Sequence, residues 1–316
     1  MTEFIIMLRN VLLFVALAIP GYILVKTKLM GEKASGVLSK LLTYLGMPFL
    51  ILSSTLNVSF TGDFAVRIIL VGVLGVVFTV AVFCLSALLV KKQDAEKRKG
   101  MARFCMVFSN NGFLGIPLAK AVFGDSPVVT YLIILNIVTN VLMFTLGVYL
   151  ISGDKNMISV KKAVLNPVLI AFIIGIPLNL LNVKAYVPEI ATFAGHFSNI
   201  VTPISMTILG MKMAEADLLS LFAKRGMYYV SAIKLVLVPA LAVGIALLLR
   251  LFMTVDSDII LGYFIALAMP TAGLASAFSD RYDGDTENAV ANTLGTTILS
   301  IATIPVLYWA LCAILF

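Results

Sequence analysis

The sequence has little charge for its length. Only 12% of its 316 residues are charged, 61% are hydrophobic, and the mean hydropathy is +1.07. A soluble domain has roughly 25% charged residues, so this chain could not cover a soluble surface with polar groups. The composition excludes a soluble enzyme, a nucleic-acid-binding domain and a disordered chain. It predicts an all-α integral membrane protein, because the apolar runs are long and continuous rather than alternating in polarity.

Residue types that carry enzyme or metal chemistry are also scarce. The three cysteines lie inside apolar runs and lack metal-ligand spacing, and His196 is the only histidine. The sequence contains no HExxH, GxSxG, P-loop or phosphate-binding GxGxxG pattern. These absences speak against an enzyme and against an ATP-driven pump. We expect neither a metal ion nor a cofactor.

Apolar runs between charged and turn-forming breaks predict ten membrane-spanning helices of about 20 residues each. The first run is interpreted as a retained helix rather than a signal peptide, because Pro20 and Gly21 interrupt its end and no cleavage site follows cleanly. The predicted spans cover residues 4–26, 36–57, 65–90, 101–123, 127–151, 164–182, 190–212, 225–250, 258–280 and 288–315.

Lysine and arginine concentrate on one side of these spans. With the N-terminus outside, the inner loops and flanks hold 17 of these residues and the outer side holds 5. Cytoplasmic loops of membrane proteins carry the excess of positive charge, so both termini are predicted to face out of the cell inner (cytoplasmic) membrane. The net charge of +7 is explained by these loops rather than by nucleic-acid binding.

The two halves of the chain match weakly. Pro20 in span one pairs with Pro177 in span six, and segment 123–125 pairs with segment 283–285, at offsets near 160. Because each half has an odd number of spans, the second half must enter the membrane upside down, which is typical of secondary transporters. Chance coincidence of prolines is the alternative. The predicted repeats cover residues 1–155 and 156–316.

Spans four and nine each contain a predicted break near mid-membrane. Segment 110–112 of span four reads Asn-Asn-Gly, and segment 270–273 of span nine reads Pro-Thr-Ala-Gly. These residues are unfavourable in a helix interior. Backbone groups freed by such breaks cannot face lipid, so they line a cavity or are buried by neighbouring helices. Proline kinks used only for packing are the alternative.

Each break would start a second half-helix, near Gly112 in span four and near Thr271 in span nine. A helix N-terminus has free N–H groups and a partial positive charge, which suits a carboxylate. If spans four and nine cross, both N-termini face one point. Asn136 and Asn140 share a face of span five, and Thr296 lies on a polar stripe of span ten, so these side chains are predicted to point toward the crossing; hydrogen bonding between helices is the alternative.

No Asp or Glu lies in the middle of a predicted span, which argues against a buried carboxylate proton relay. Lys234 lies about two turns into span eight. It either reaches back to the inner surface or attracts an anion. His196 in span seven is either an ordinary hydrogen-bonding residue or a proton-coupling group.

The polar segments resemble those of a known family. Segment 110–117 (Asn-Asn-Gly-Phe-Leu-Gly-Ile-Pro), followed by Phe-Gly-Asp at 123–125, resembles the fourth-helix motif of the auxin efflux carrier family. Segments 269–272 and 296–305 are similar to its ninth and tenth helices. The short loop between spans five and six resembles the prokaryotic branch.

This resemblance implies a fold shared with the bile acid/sodium symporter superfamily. Helices 1, 2, 6 and 7 would form a scaffold that dimerises, and helices 3–5 and 8–10 a transport domain in which helices 4 and 9 cross. Family members move organic anions such as auxin, malate and malonate, and Asn110 or Asn111 would contact the substrate carboxylate. The absence of acidic residues around the breaks speaks against Na⁺ coupling, and the absence of an aromatic cluster in mid-span speaks against auxin.

The sequence thus predicts a secondary transporter of small carboxylates that works by alternating access in a lipid bilayer. A sensor or regulatory protein with the same fold, a channel and a membrane enzyme are the alternatives. Substrate identity, coupling ion, direction and oligomeric state are left open. The predicted substrate-binding residues are Asn110, Asn111, Gly112, Pro117, Asn136, Asn140, Pro270, Thr271 and Thr296.

Overall fold

The computed structural model describes residues 2–31, 33–57, 62–90, 96–124, 126–159, 161, 165–249 and 256–315. Within these ranges the chain is helical, and the only extended pairing is an isolated bridge between two residues. The helices are α1 Thr2–Lys26, α2 Ala34–Leu56, α3 Gly62–Leu89, α4 Glu96–Val107, α5 Asn111–Phe123, α6 Pro127–Ser152, α7 Pro167–Leu180, α8 Val183–Tyr186, α9 Pro188–Asn199, α10 Val201–Glu215, α11 Leu218–Ala223, α12 Arg225–Leu248, α13 Ser257–Ala268, α14 Ala275–Arg281 and α15 Thr286–Leu315.

Six helices in the described part of the chain are long and apolar enough to cross a membrane, namely α1, α2, α3, α6, α12 and α15. α5, α7 and α13 are shorter apolar helices. Large apolar side chains such as Leu88 and Ile69 are exposed along these helices, as they must be where lipid replaces water. The all-helical architecture is therefore confirmed, and the six long apolar helices support a membrane protein. The full set of ten predicted spans stays a prediction.

Several of the helices begin with the same local signal, and three of them are α6, α7 and α13. Ser126, Asn166 and Asp256 stand just before α6, α7 and α13, and each accepts a hydrogen bond from the backbone N–H two residues later. Such caps satisfy amides that have no partner within the helix. Proline follows the cap in α6 and α7, where its missing N–H costs nothing. These short polar residues explain why apolar helices start where they do.

Predicted span seven, residues 190–212, is interrupted near its middle. α9 ends at Asn199 and α10 begins at Val201. Pro203 has no N–H to donate to the carbonyl of Asn199, four residues earlier, so the regular hydrogen-bond ladder is broken at this point. The chain continues as a helix once Ile204 donates to the Ile200 carbonyl at 3.1 Å.

α1 and α10 pack backbone against backbone. A methyl group on Gly21 would lie 1.9 Å from the Thr207 carbonyl oxygen, and one on Gly210 would lie 1.8 Å from the Ala18 carbonyl oxygen. The two glycines therefore allow an approach that no larger residue permits at either position.

The helices pack in two groups. α2 packs against α7 and α9, and α1 packs along α10. In the second group α6 packs against α3 and α13, and α12 packs against α13 and α15. α1 also contacts α15 and α5, so the groups meet beside the interrupted helices.

Candidate functional site

The two predicted breaks meet each other. α4 ends at Val107 and α13 ends at Ala268, and Ser109 and Thr271 between the half-helices form an antiparallel bridge. The Asn110 N–H donates to the Pro270 carbonyl at 2.8 Å, and the Ala272 N–H donates to the Phe108 carbonyl at 2.9 Å. Each break therefore satisfies backbone groups that the other exposes, which is required inside a membrane. We call residues 108–110 and 269–274 the crossover.

Two buried threonines hold the crossover in place through hydrogen bonds. The Thr271 N–H donates to Thr296 Oγ1 at 3.1 Å, and the Thr271 hydroxyl donates to the Cys105 carbonyl at 3.0 Å. Thr296 in turn donates to the Asn292 carbonyl in its own helix at 2.6 Å. Both threonines are fully buried. Their donors are already used, so they position the crossover rather than offer hydrogen bonds to a ligand.

Only one of the two half-helices begins where the sequence predicted. α5 starts at Asn111, close to the predicted Gly112. α14 starts at Ala275 instead of near Thr271, because the amides of Thr271 and Ala272 are bonded to Thr296 and Phe108. The predicted start of this second half-helix at Thr271 was therefore wrong. α5 and α14 each begin directly after one segment of the crossover, at Asn111 and at Ala275.

The amide groups at the start of α5 are free of intrahelical partners. The first backbone N–H that bonds back is that of Leu114, which donates to the Asn110 carbonyl at 3.3 Å. The three preceding amides, of Asn111, Gly112 and Phe113, belong to the helix N-terminus, where N–H groups lack acceptors and the helix dipole is positive.

A cavity of about 540 Å³ lies against the crossover. It is lined by Ser109 and Asn110 of the first break, by Gly112 and Phe113 of α5, and by residues 272–274 of the second break. α2, α6 and α7 contribute further walls. A cavity of this size accommodates a small metabolite.

Two asparagines of α6 form a pair on the cavity wall. The Asn140 amide donates to Asn136 Oδ1 at 3.1 Å and to the Asn136 carbonyl at 2.8 Å. Asn136 is 3% exposed, and its Nδ2 has no hydrogen-bond partner among the described residues. A methyl group on Gly112 would lie 3.5 Å from Asn136 Oδ1, so the free donor lies beside the N-terminus of α5. An unpaired buried donor is costly and marks a place for an acceptor.

The charged residues that line the cavity are all positive. Lys161 and Arg281 stand on its wall, both exposed, and no Asp or Glu lines it in the part of the chain that the structure describes. The field inside the cavity therefore favours an anion.

Lys234 lies behind the cavity. Its side chain is fully buried, and its Nζ donates to Ser109 Oγ at 2.5 Å. Of the two interpretations of this lysine, reaching back to the inner surface is wrong. The ammonium group is held at the crossover.

Irregular helical turns surround the same region. The described residues contain four π-helical turns, at Leu42–Gly46, Asn111–Gly115, Met143–Gly147 and Ile233–Leu237. Three of them contribute residues to the cavity, and the fourth contains Lys234. Such turns re-aim side chains within a helix and occur often at functional sites.

The structure divides the predicted binding residues into two sets. Asn110, Gly112, Asn136 and Asn140 line the cavity. The others are packed around it without lining it, namely Asn111, Pro117, Pro270, Thr271 and Thr296. His196 lies exposed on α9 and does not line the cavity.

Several polar or charged residues that line the cavity were not predicted as ligand contacts, among them Ser109, Lys161, Asn166 and Arg281. Ser109 is adjacent to the Asn-Asn-Gly segment and could have been found from that position. The other three are loop or helix-end residues far apart in the sequence, and nothing in the sequence connects them.

Paired helix breaks against a polar cavity in an apolar helical bundle define a membrane transport protein rather than an enzyme. Comparison with known proteins agrees with this class. The family described as "Membrane transport protein", which comprises the auxin efflux carriers, matches residues 5–160 and 154–308. The chain belongs to this family.

A relative of similar length supports the assignment. The chain is 26% identical over 301 residues to an uncharacterized transporter of Methanothermobacter thermautotrophicus, an alignment that covers 94% of this chain and 96% of that protein.

Proposed function

We propose that this protein is a secondary transporter of small organic anions, with carboxylates such as malate or malonate as the substrate class. The observation that carries the proposal is that the unpaired polar groups at the cavity are hydrogen-bond donors and its charged lining residues are positive. The free groups are the Asn136 amide and the first N–H groups of α5, and the charged lining residues are Lys161 and Arg281. All of these attract or donate to an anion, and a carboxylate offers the acceptor oxygens that they lack.

The proposed architecture has ten spans in two inverted five-helix repeats, residues 1–155 and 156–316. The pairing of the breaks of spans four and nine at one bridge supports it. The scaffold would consist of spans one, two, six and seven, and the transport domain of spans three to five and eight to ten. The two packing groups of helices support this division. A homodimer would form through the scaffold.

The proposed mechanism is alternating access around the crossover. The cavity extends from Ser109 to Lys161 and Arg281, which are on the predicted cytoplasmic side. On the other side of the crossover Ile116 and Leu118 of α5 are buried in the apolar core. This arrangement supports an inward-open state of a transporter in the cell inner membrane, with both termini outside.

The test is uptake of radiolabelled malonate and malate by proteoliposomes, across a panel of ion and pH gradients. Asn136→Ala and Asn110→Ala are expected to reduce uptake at least about tenfold, since each removes a polar group from the cavity. Asn10→Ala is the control, because the Asn10 amide bonds only within α1. Carboxylates that stabilise the protein against heat without any flux would contradict transport and favour a sensor. Full uptake by both cavity variants would contradict the site.

A further inference from the structure

Lys234 is the one charged side chain that is fully buried in the described part of the chain. It lies in the π-helical turn Ile233–Leu237 of α12. Ion pairs among the described residues involve other cations, and none includes Lys234. Burial of an unpaired ammonium costs several kcal/mol in a protein interior. An anion bound nearby would offset this cost.

The elements packed against Lys234 supply no fixed counter-charge. α12 packs against α4, α13 and α15. The acidic residues of these helices lie at their ends, namely Glu96, Asp258 and Glu287. Glu287 is already paired with Lys224, and Glu96 with Lys99. Asp258 lies at the opposite end of α13 from the crossover.

Ser109 connects Lys234 with the cavity. The ammonium donates to Ser109 Oγ, so one lone pair of that oxygen is used and the hydroxyl proton is left to donate elsewhere. Ser109 lines the cavity beside Asn110 and the start of α5. A hydroxyl that accepts from a cation becomes a stronger donor, because hydrogen bonds in a chain polarise one another.

We propose that Lys234 is the charge counterpart of the bound substrate and acts on it through the hydroxyl of Ser109. This inference rests on the proposed transport of carboxylates. It adds the group that makes the site prefer an anion over a neutral molecule of the same shape. Lys234 is a positioning and charge-setting residue, and Ser109 is the group that contacts the substrate. The ligand-free protein contains an unpaired charge, and the substrate neutralises it.

This arrangement predicts an unusual combination of effects. Lys234→Met keeps the volume and removes the charge, so the ligand-free protein becomes more stable to heat. The same variant loses affinity for the anion. A lysine that only stabilised the fold would show the reverse, because its removal would lower the stability.

The experiment compares acids with their neutral amides on the purified full-length protein. The probes are malonate with malonamide, malate with malamide, and acetate with acetamide, measured by thermal shift and by proteoliposome uptake. Wild type is expected to be stabilised by at least one acid and not by its amide. Lys234→Met is expected to bind that acid at least tenfold more weakly, about 1.4 kcal/mol, and to discriminate less between acid and amide.

Ser109→Ala provides a second variant that leaves the lysine in place. It is expected to lose the same discrimination and also to lower the stability of the ligand-free protein, since Lys234 loses its acceptor. Lys155→Met, in an exposed turn, is the control and should behave as wild type.

The outcomes separate the two proposals. Wild type that is stabilised by no carboxylate and transports none overturns the proposed function and this inference together. Wild type that prefers an acid, with Lys234→Met and Ser109→Ala showing the same preference, overturns the inference alone. If Lys234→Met does not fold, the acid-over-amide preference of Ser109→Ala tests the inference. Loss of that preference supports it, and an unchanged preference overturns it.

Discussion

The ammonium of Lys212 donates a hydrogen bond to the carbonyl oxygen of Gly273 at 3.2 Å. Lys212 belongs to α10, and Gly273 lies between α13 and α14 in the crossover. The bond therefore links a helix of one packing group to the irregular segment of the other. Because Gly273 also lines the cavity, the contact holds a wall of the site against the helix pair formed by α1 and α10.

Lys212→Met is expected to lower the free energy of unfolding by about 1.5–3 kcal/mol, the range for a hydrogen bond to a charged group. It should also loosen the cavity wall at Gly273. Thermal unfolding in detergent measures the first effect. The rate at which a cysteine introduced at Ala272 reacts with a thiol reagent measures the second. Lys33→Met removes an exposed lysine instead and is the control for both measurements. Unchanged stability together with unchanged labelling would show that the bond does not hold the wall.

Thr296→Val is expected to destabilise the protein by about 1–3 kcal/mol, because the Thr271 N–H would lose its acceptor inside the bundle. The neighbouring Thr297 offers a matched control, since its hydroxyl donates only to the Thr293 carbonyl of its own helix. Thr297→Val is therefore expected to change stability little. Thermal shifts of the two variants should differ clearly, and equal shifts would contradict the assigned difference between these threonines.

Gly21→Ala is expected to be strongly destabilising, by more than the roughly 1–3 kcal/mol of ordinary overpacking, because the methyl group would overlap a backbone carbonyl rather than a side chain. Gly244 in α12 has no atom within 4 Å of the position of an added methyl group. Gly244→Ala should stabilise the helix by up to about 1 kcal/mol. Folded yield and melting temperature check both variants, and a stable Gly21→Ala protein would contradict the close packing of α1 on α10.

Replacement of both Lys161 and Arg281 by glutamine is expected to raise the KM for an anionic substrate about two- to fivefold with little change in the maximal rate. These exposed cations attract the ligand toward the cavity rather than hold it. Raised ionic strength should reduce the difference between variant and wild type, because salt screens exposed charges. Uptake kinetics at two salt concentrations test this, and a KM that does not change in either buffer would exclude electrostatic attraction at the cavity mouth.

Much of the fold followed from the sequence, because long apolar runs have few alternatives to helices in a membrane. The breaks were also predictable, since Asn-Asn-Gly and Pro270 are locally unfavourable in a helix. The features that could not be predicted depend on residues distant in sequence. α14 begins at Ala275 rather than at the predicted Thr271 because Thr296 and Phe108 accept hydrogen bonds from the amides that precede it.

Lys234 shows the same limit for a single side chain. A lysine two turns inside a membrane helix can reach the surface or be buried, and its own helix does not decide between the two. The decision comes from Ser109, 125 residues earlier, whose hydroxyl stands within hydrogen-bond distance. Likewise, the sequence gives the polarity of Asn111 and Asn136 but not that only Asn136 lines the cavity.

The bridge between Ser109 and Thr271 has a thermodynamic consequence for transport in either direction. Since two backbone hydrogen bonds join the breaks, α4, α5, α13 and α14 cannot shift independently at the crossover. A site that keeps the same contacts on both faces of the membrane keeps the same intrinsic affinity on both, and a ligand of equal affinity favours neither state. For the proposed carrier, the substrate concentration that half-saturates the site should then be the same on both sides of the membrane.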